Sequence, residues 1–318
     1  MPTYDPLEWN DGGAIQHNNN CYDYALDWKS GQFSQPGATH GHILAQPYGC
    51  DAVAEGATLD GLTECEDEED CDEGCWKVAL VTDPDFGYHW YRQDGDGTWS
   101  HKPGQTEATD VDSSENTIDD PSEADYSPYD NFCGFFCVCP DDLKFANVMP
   151  GTGESRVSVT LKELPRLVTT SMEVEVPPGR VTISHQADDT SSARQSGGRP
   201  MLAVHALIFS GPRDPSWSLT DEQRKFVQDR LQGLTPSELF PGPRLGYQGF
   251  LIDNPGGLPE FPRRVRVWRG AIAAFNDHGE RQVYEDKYGL EQWLLGIAMT
   301  QPFADVLNRA VKRTPREP

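Results

Sequence analysis

Three residues in this chain have the types and settings for nucleophilic chemistry. Cys21 follows the polar run His17-Asn18-Asn19-Asn20 and opens the helix-like stretch 21–28, CYDYALDW. His89 begins the extended segment HWYRQ, and His101 sits in the next one, TWSHK. Between them lies Asp94-Gly95-Asp96-Gly97, a tight-turn signal. A thiol at a helix start facing two histidines on one hairpin makes a nucleophile–base–orienter set. Cysteine attacks as thiolate, and a free pKa near ~8.5 leaves only a few per cent ionised at neutral pH. A helix N-terminus capped by Asn20 and an imidazolium at His89 would both favour the anion. The offset of twelve residues to His101 brings that side chain onto the adjacent strand, where it could hold the His89 tautomer. Backbone amides at the helix start, or Asn and Tyr side chains near Cys21, could receive an oxyanion. The leading expectation is a cysteine-dependent hydrolase of peptide or amide bonds. Cys21 is its nucleophile, His89 its base and His101 its orienter, with no cofactor and no metal.

The elements that must position these residues follow from local pattern. A helix is expected from Cys21, another over 52–62, a strand over 76–81 and then the histidine hairpin. Residues 105–130 are rich in Asp, Ser, Thr and Pro and read as a long loop, and 132–139 reads as a strand buried on both faces. One helix before a run of antiparallel strands implies an α+β domain over 1–150. Three alternating stretches at 156–161, 172–176 and 180–183 make 151–185 a β-rich connector, and 186–200 a linker. A smaller α+β domain over 201–318 then opens with a strand at 202–209. Thr220-Asp221-Glu222-Gln223 begins a helix there with a capping box. Further strands are expected at 247–252 and 264–268. Leu290, Trp293, Leu294 and Ile297 give a final amphipathic helix, interrupted at Pro302. On this division the two ends of the chain carry separate cores.

Charge narrows the partners. The net charge of -25 is concentrated at one end, since residues 1–150 carry 31 Asp and Glu against 5 Lys and Arg. Such a surface repels phosphates and anionic lipids, so no nucleic acid and no membrane are expected as partners. Nor does any stretch approach the ~20 apolar residues of a membrane span. The opening residues lack a basic segment followed by an apolar run, so cytoplasmic synthesis is the default expectation, export would need a signal-independent route, and the destination stays open. All eight cysteines lie within the first 139 residues, which keeps an oxidising destination open, although spacing gives no connectivity. The run 64–73 holds eight acids in ten residues with Cys65 and Cys71 inside it. It lacks the alternating oxygen ligands and the Gly of a calcium loop, and reads as a solvated insertion. His40 and His42 lack a third metal ligand and read as loop residues.

A Cys at a helix start, a later strand opening with His and a second His twelve residues on resembles the NlpC-type papain-like cysteine peptidases. The resemblance spans about residues 15–140. It implies a papain-like helix-plus-antiparallel-sheet fold, a Cys21–His89–His101 triad and amide bonds of peptidoglycan peptides as substrate. Tyr22-Asp23 stands where the family commonly has Ser-Gly, and the acidic cysteine insertion is foreign to it. Two further readings remain open. One is a protein-modifying acyltransferase or deamidase of toxin type. The other is a non-catalytic, disulfide-stabilised assembly or binding protein, with Cys21 buried or bridged and oligomerisation through the 156–184 strands.

Overall fold

The computed structural model describes residues 1–144 and 201–314. The expected connector strands, the linker and the contacts assigned to 156–184 lie outside the described residues. Four short helices are found before residue 60: α1 (Pro6–Trp9), α2 (Ala14–Asn18), α3 (Cys21–Ala25) and α4 (Cys50–Leu59). The strands β1 (Thr63–Cys65), β2 (Trp76–Asp83), β3 (Gly87–Gln93), β4 (Trp99–His101) and β5 (Asn131–Val138) form one antiparallel sheet, ordered β1-β5-β2-β3-β4. Both faces of β2 are buried, as its unbroken run of mostly apolar residues requires. The β3–β4 hairpin turns where Asp94 and the glycines place it, with the Asp94 amide donating to the Thr98 carbonyl at 2.8 Å. Helix α3 is shorter than the expected 21–28, because Asp27 takes a left-handed conformation that ends it.

After residue 200 come β6 (Ala203–Ala206), β7 (Ser216–Ser218), α5 (Asp221–Arg230), β8 (Phe250–Asp253), β9 (Arg264–Trp268), β10 (Ala271–Phe275), β11 (Arg281–Glu285), α6 (Leu290–Ala298) and α7 (Ala304–Arg313). The strands make a second antiparallel sheet, ordered β11-β10-β9-β8-β6-β7. The capping box at Thr220 opens α5 as its sequence pattern requires, with the Gln223 amide donating to the Thr220 hydroxyl. Helices and two antiparallel sheets make the protein α+β.

Alternation along the first sheet divides its side chains between two cores. Val78, Leu80, Tyr88 and Trp90 leave one face and pack with Cys21 and Tyr22 of α3 and Val53 and Ala57 of α4. Ala79, Val81, Tyr91 and Phe135 leave the other face and join a cluster that runs on through Val204, Phe250, Ile252, Val267, Ile272 and Leu294. The expectation of separate cores at the two ends is therefore corrected: the described residues 1–144 and 201–314 belong to one compact unit. Polar contacts cross the same seam. Arg266 pairs with Glu107 at 2.6 Å, Arg313 with Asp83 at 2.7 Å, and the Asn20 side-chain Nδ2 donates to the Gly211 carbonyl at 2.9 Å. Composition suggested a break between halves, but the apolar face of the first sheet needs the second segment to cover it.

Candidate functional site

Asn20 caps α3 as expected and so sets Cys21 at the first helical position. Its Oδ1 accepts from the amides of both Tyr22 and Asp23 at 3.0 Å, and Asp23 accepts in return from the Asn20 amide at 2.9 Å. The amides suited to an oxyanion are thus already engaged. The Tyr22 hydroxyl is engaged too, donating to Asp60 at 2.9 Å. Cys21 itself is 0% exposed, and burial pushes its thiol far above the ordinary range. A buried thiol in that state packs as a small apolar side chain and carries little thiolate.

The hairpin brings His89 and His101 together but turns them away from Cys21. Tyr91 on β3 faces His101 on β4 in register, and His89 lies two residues from Tyr91 on the same face. The two imidazoles are edge to face with centroids 4.9 Å apart, and His89 also stacks on Tyr129 at 6.1 Å. Cys21 packs with Tyr88 and Trp90, which leave β3 on the opposite face. The predicted set is therefore split by the pleat of the strand that was to unite it. Both histidines are fully buried, which lowers their basicity: His89 well below the ordinary value, His101 to about 4. His101 Nε2 donates to the Val111 carbonyl at 2.9 Å, while both ring nitrogens of His89 lack a hydrogen-bond partner among the described residues. His40 and His42 also go to separate partners, Asp60 at 3.6 Å and the Ala52 carbonyl at 2.8 Å.

Buried cations were missed in the sequence, Arg92 and Lys102 among them. Arg92 is 0% exposed, donates to Asp94 at 2.8 Å and Asp27 at 3.2 Å, and lies over the Tyr24 ring at 4.1 Å. Lys102 donates to the carbonyls of Gln16, Asn19 and Gly104 at 2.6, 2.7 and 2.6 Å, tying α2 to the strand end. A signal existed: a segment with only five basic residues hides Lys77, Arg92 and Lys102, leaving almost none at its surface.

The other cysteines gather on β5. Cys50 at the start of α4 is bridged to Cys133, Cys71 to Cys137 and Cys75 to Cys139. These close sequence separations of 83, 66 and 64 residues, and loops of that length taken singly are worth about 4 kcal/mol in the chain-entropy picture. Cys21 and Cys65 remain as thiols. The acidic run 64–73 is thereby clamped between β1 and two bridges. Lys77 donates to the Asp67 carbonyl beneath it, and most of its carboxylates stay exposed.

Among the described residues Cys21, His89 and His101 are sealed from solvent, and three disulfides lace the acidic edge of the first sheet. No family model matches the chain, and no solved structure matches it. The chain belongs to the family of insoluble matrix shell protein 1 of Ruditapes philippinarum, with 40% identity over 137 residues, 43% of this chain and 90% of that protein. This overturns the cysteine-hydrolase expectation, and with it the peptidase description, since that relative is a matrix protein by name.

Proposed function

We propose that the protein is a non-catalytic structural component of an insoluble matrix of shell type, with its N-terminal segment fastened by disulfides. The observation that carries this reading is the similarity to insoluble matrix shell protein 1, which extends over 90% of that relative. Three features support it. The bridges at Cys133, Cys137 and Cys139 resist unfolding outside the cell, where disulfides persist. Cys21 serves packing. The balance of 31 acids against 5 bases in residues 1–150, with three of the bases buried, leaves a surface suited to cations and basic macromolecules. The order of α3 before an antiparallel sheet supports reading this segment as a papain-like frame kept as scaffold, its cysteine position turned over to the core.

Fractionation of the source tissue tests the proposal. The protein should remain in the residue left after exhaustive aqueous, salt and chelator extraction, identified there by its peptides. Quantitative recovery in the soluble extracts would overturn it.

A further inference from the structure

Strand β1 ends on Cys65, which lies opposite Phe135 on β5, while Thr63 lies opposite Cys137. The Cys71–Cys137 bridge returns the acidic segment to this same edge. The sulfurs of Cys65, Cys71 and Cys137 all lie within 4.8 Å of one another, and all three residues are partly exposed. Cys65 also lines a surface cavity of about 520 Å³ with Asp51, Glu64, Glu66 and Glu69, and the Cys50–Cys133 bridge forms part of its wall. Of the two thiols, Cys21 is sealed in the core and Cys65 is the one that solvent and a second molecule can reach.

We propose that these three sulfurs form a thiol–disulfide exchange site through which one copy of the chain becomes covalently linked to another. This deepens the matrix reading and rests on it. The chemistry needs no oxidant. The Cys65 thiol loses its proton and the thiolate attacks one sulfur of a Cys71–Cys137 bridge. One S–S bond forms, one breaks, and the leaving sulfur takes up a proton. Within one copy, the step moves the thiol among the three positions. Between copies, it makes an intermolecular disulfide and frees a thiol on the acceptor, which can attack a third copy. Each chain carries both the attacking thiol and the bridge it attacks, so a second copy is the fitting partner.

The surroundings restrain the step near neutrality. Burial raises the Cys65 thiol above its ordinary value; the Lys77 ammonium opposes this, and the carboxylates of Glu69, Glu66 and Asp67 add to it. Asp51 and Glu64, also on the cavity, add negative charge at its rim. Exchange should therefore quicken with rising pH, and with salt that screens the repulsion between two acidic copies.

The test uses the purified, oxidised chain of residues 1–318 without reductant at about pH 8.5, near the ordinary thiol pKa, followed by non-reducing electrophoresis over time. Wild type should build a ladder of covalent oligomers that reductant collapses. Disulfide-linked peptides from the ladder should join Cys65 to Cys71 or Cys137, a pairing absent from the starting chain. Cys65→Ser should slow the ladder at least about tenfold by removing the attacking thiol, and brief alkylation of the native wild type should do the same. Cys21→Ser should leave the ladder unchanged. A wild type that stays monomeric with Cys65 as free thiol, or a ladder undiminished by both Cys65→Ser and alkylation, would overturn the proposal. Tissue residue that stays insoluble yet yields no intermolecular cysteine peptides would overturn exchange and leave the matrix reading standing. Covalent ladders from a protein found wholly in soluble extracts would do the reverse.

Discussion

Cys21 and Cys65 carry the same thiol into opposite surroundings. Cys21 is packed between α3 and the Tyr88–Trp90 face of the sheet at 0% exposure, whereas Cys65 ends an edge strand. Iodoacetamide on the native protein should therefore label Cys65 and leave Cys21 untouched, with peptide mass spectrometry as the readout. Cys21→Ala should cost roughly 1–2 kcal/mol of stability by leaving a small cavity, while all three disulfides still form. His101 gives a prediction with a pH sign. Its ring is held in the Nε2–H form by Val111, and burial lowers its pKa from 6.5 to about 4. Between those values the unfolded chain accepts a proton that the folded chain refuses, so this residue makes stability fall as pH falls. Its contribution is intact above the unfolded pKa. Urea midpoints for His101→Gln should consequently drop less between pH 7 and pH 4.5 than those of wild type, and an equal drop would refute the assignment. Nitrogen NMR should find His101 neutral down to about pH 4.

At the scale of elements, a five-residue helix survives because its start is over-determined. Asn20 satisfies two amides of α3 with its oxygen and donates through its nitrogen to the carbonyls of Ser34 at 2.7 Å and Gly211 at 2.9 Å. Such a helix lacks the length for intrinsic stability in water. Asn20→Ala should thus cost roughly 2–3 kcal/mol, above an ordinary cap because two further hydrogen bonds, one buried and one partly buried, are lost. Chemical denaturation measures it, and a loss below about 0.5 kcal/mol would show the helix held by packing alone. The cap, the β3–β4 turn and the box at Thr220 were legible because each rests on contacts within a few residues, and the strand at 264–268 because its own residues alternate. Strands β7, β10 and β11 were not read from the sequence. Ser216–Ser218 is short and polar, and Arg281–Glu285 shows no apolar alternation, so only ladder pairing with β6 and β10 makes them strands.

The whole molecule is governed by the cluster that joins the two sheets. Ala79, Val81 and Tyr91 from one segment and Val204, Phe250 and Leu294 from the other are buried in it together. Residues 1–144 and 201–314 produced as separate chains should each lack a cooperative thermal transition and native near-ultraviolet dichroism, and regain both on mixing. A sharp transition in either piece alone would restore the picture of independent domains.

The sequence by itself determined what depends on near neighbours and on composition. That includes the α+β class, the helix start at Asn20, the histidine hairpin and the concentration of acid and cysteine in the first 150 residues. Tertiary structure alone decided which face each side chain takes, and the consequences were chemical. The one-residue step from His89 to Trp90 places the histidine and Cys21 on opposite sides of β3, and burial then removes the charge that either would need for catalysis. Disulfide pairing belongs to the same category. Spacing leaves many partners open for eight cysteines, and only the approach of α4 and the acidic segment to β5 selects three bridges and leaves Cys65 beside one of them.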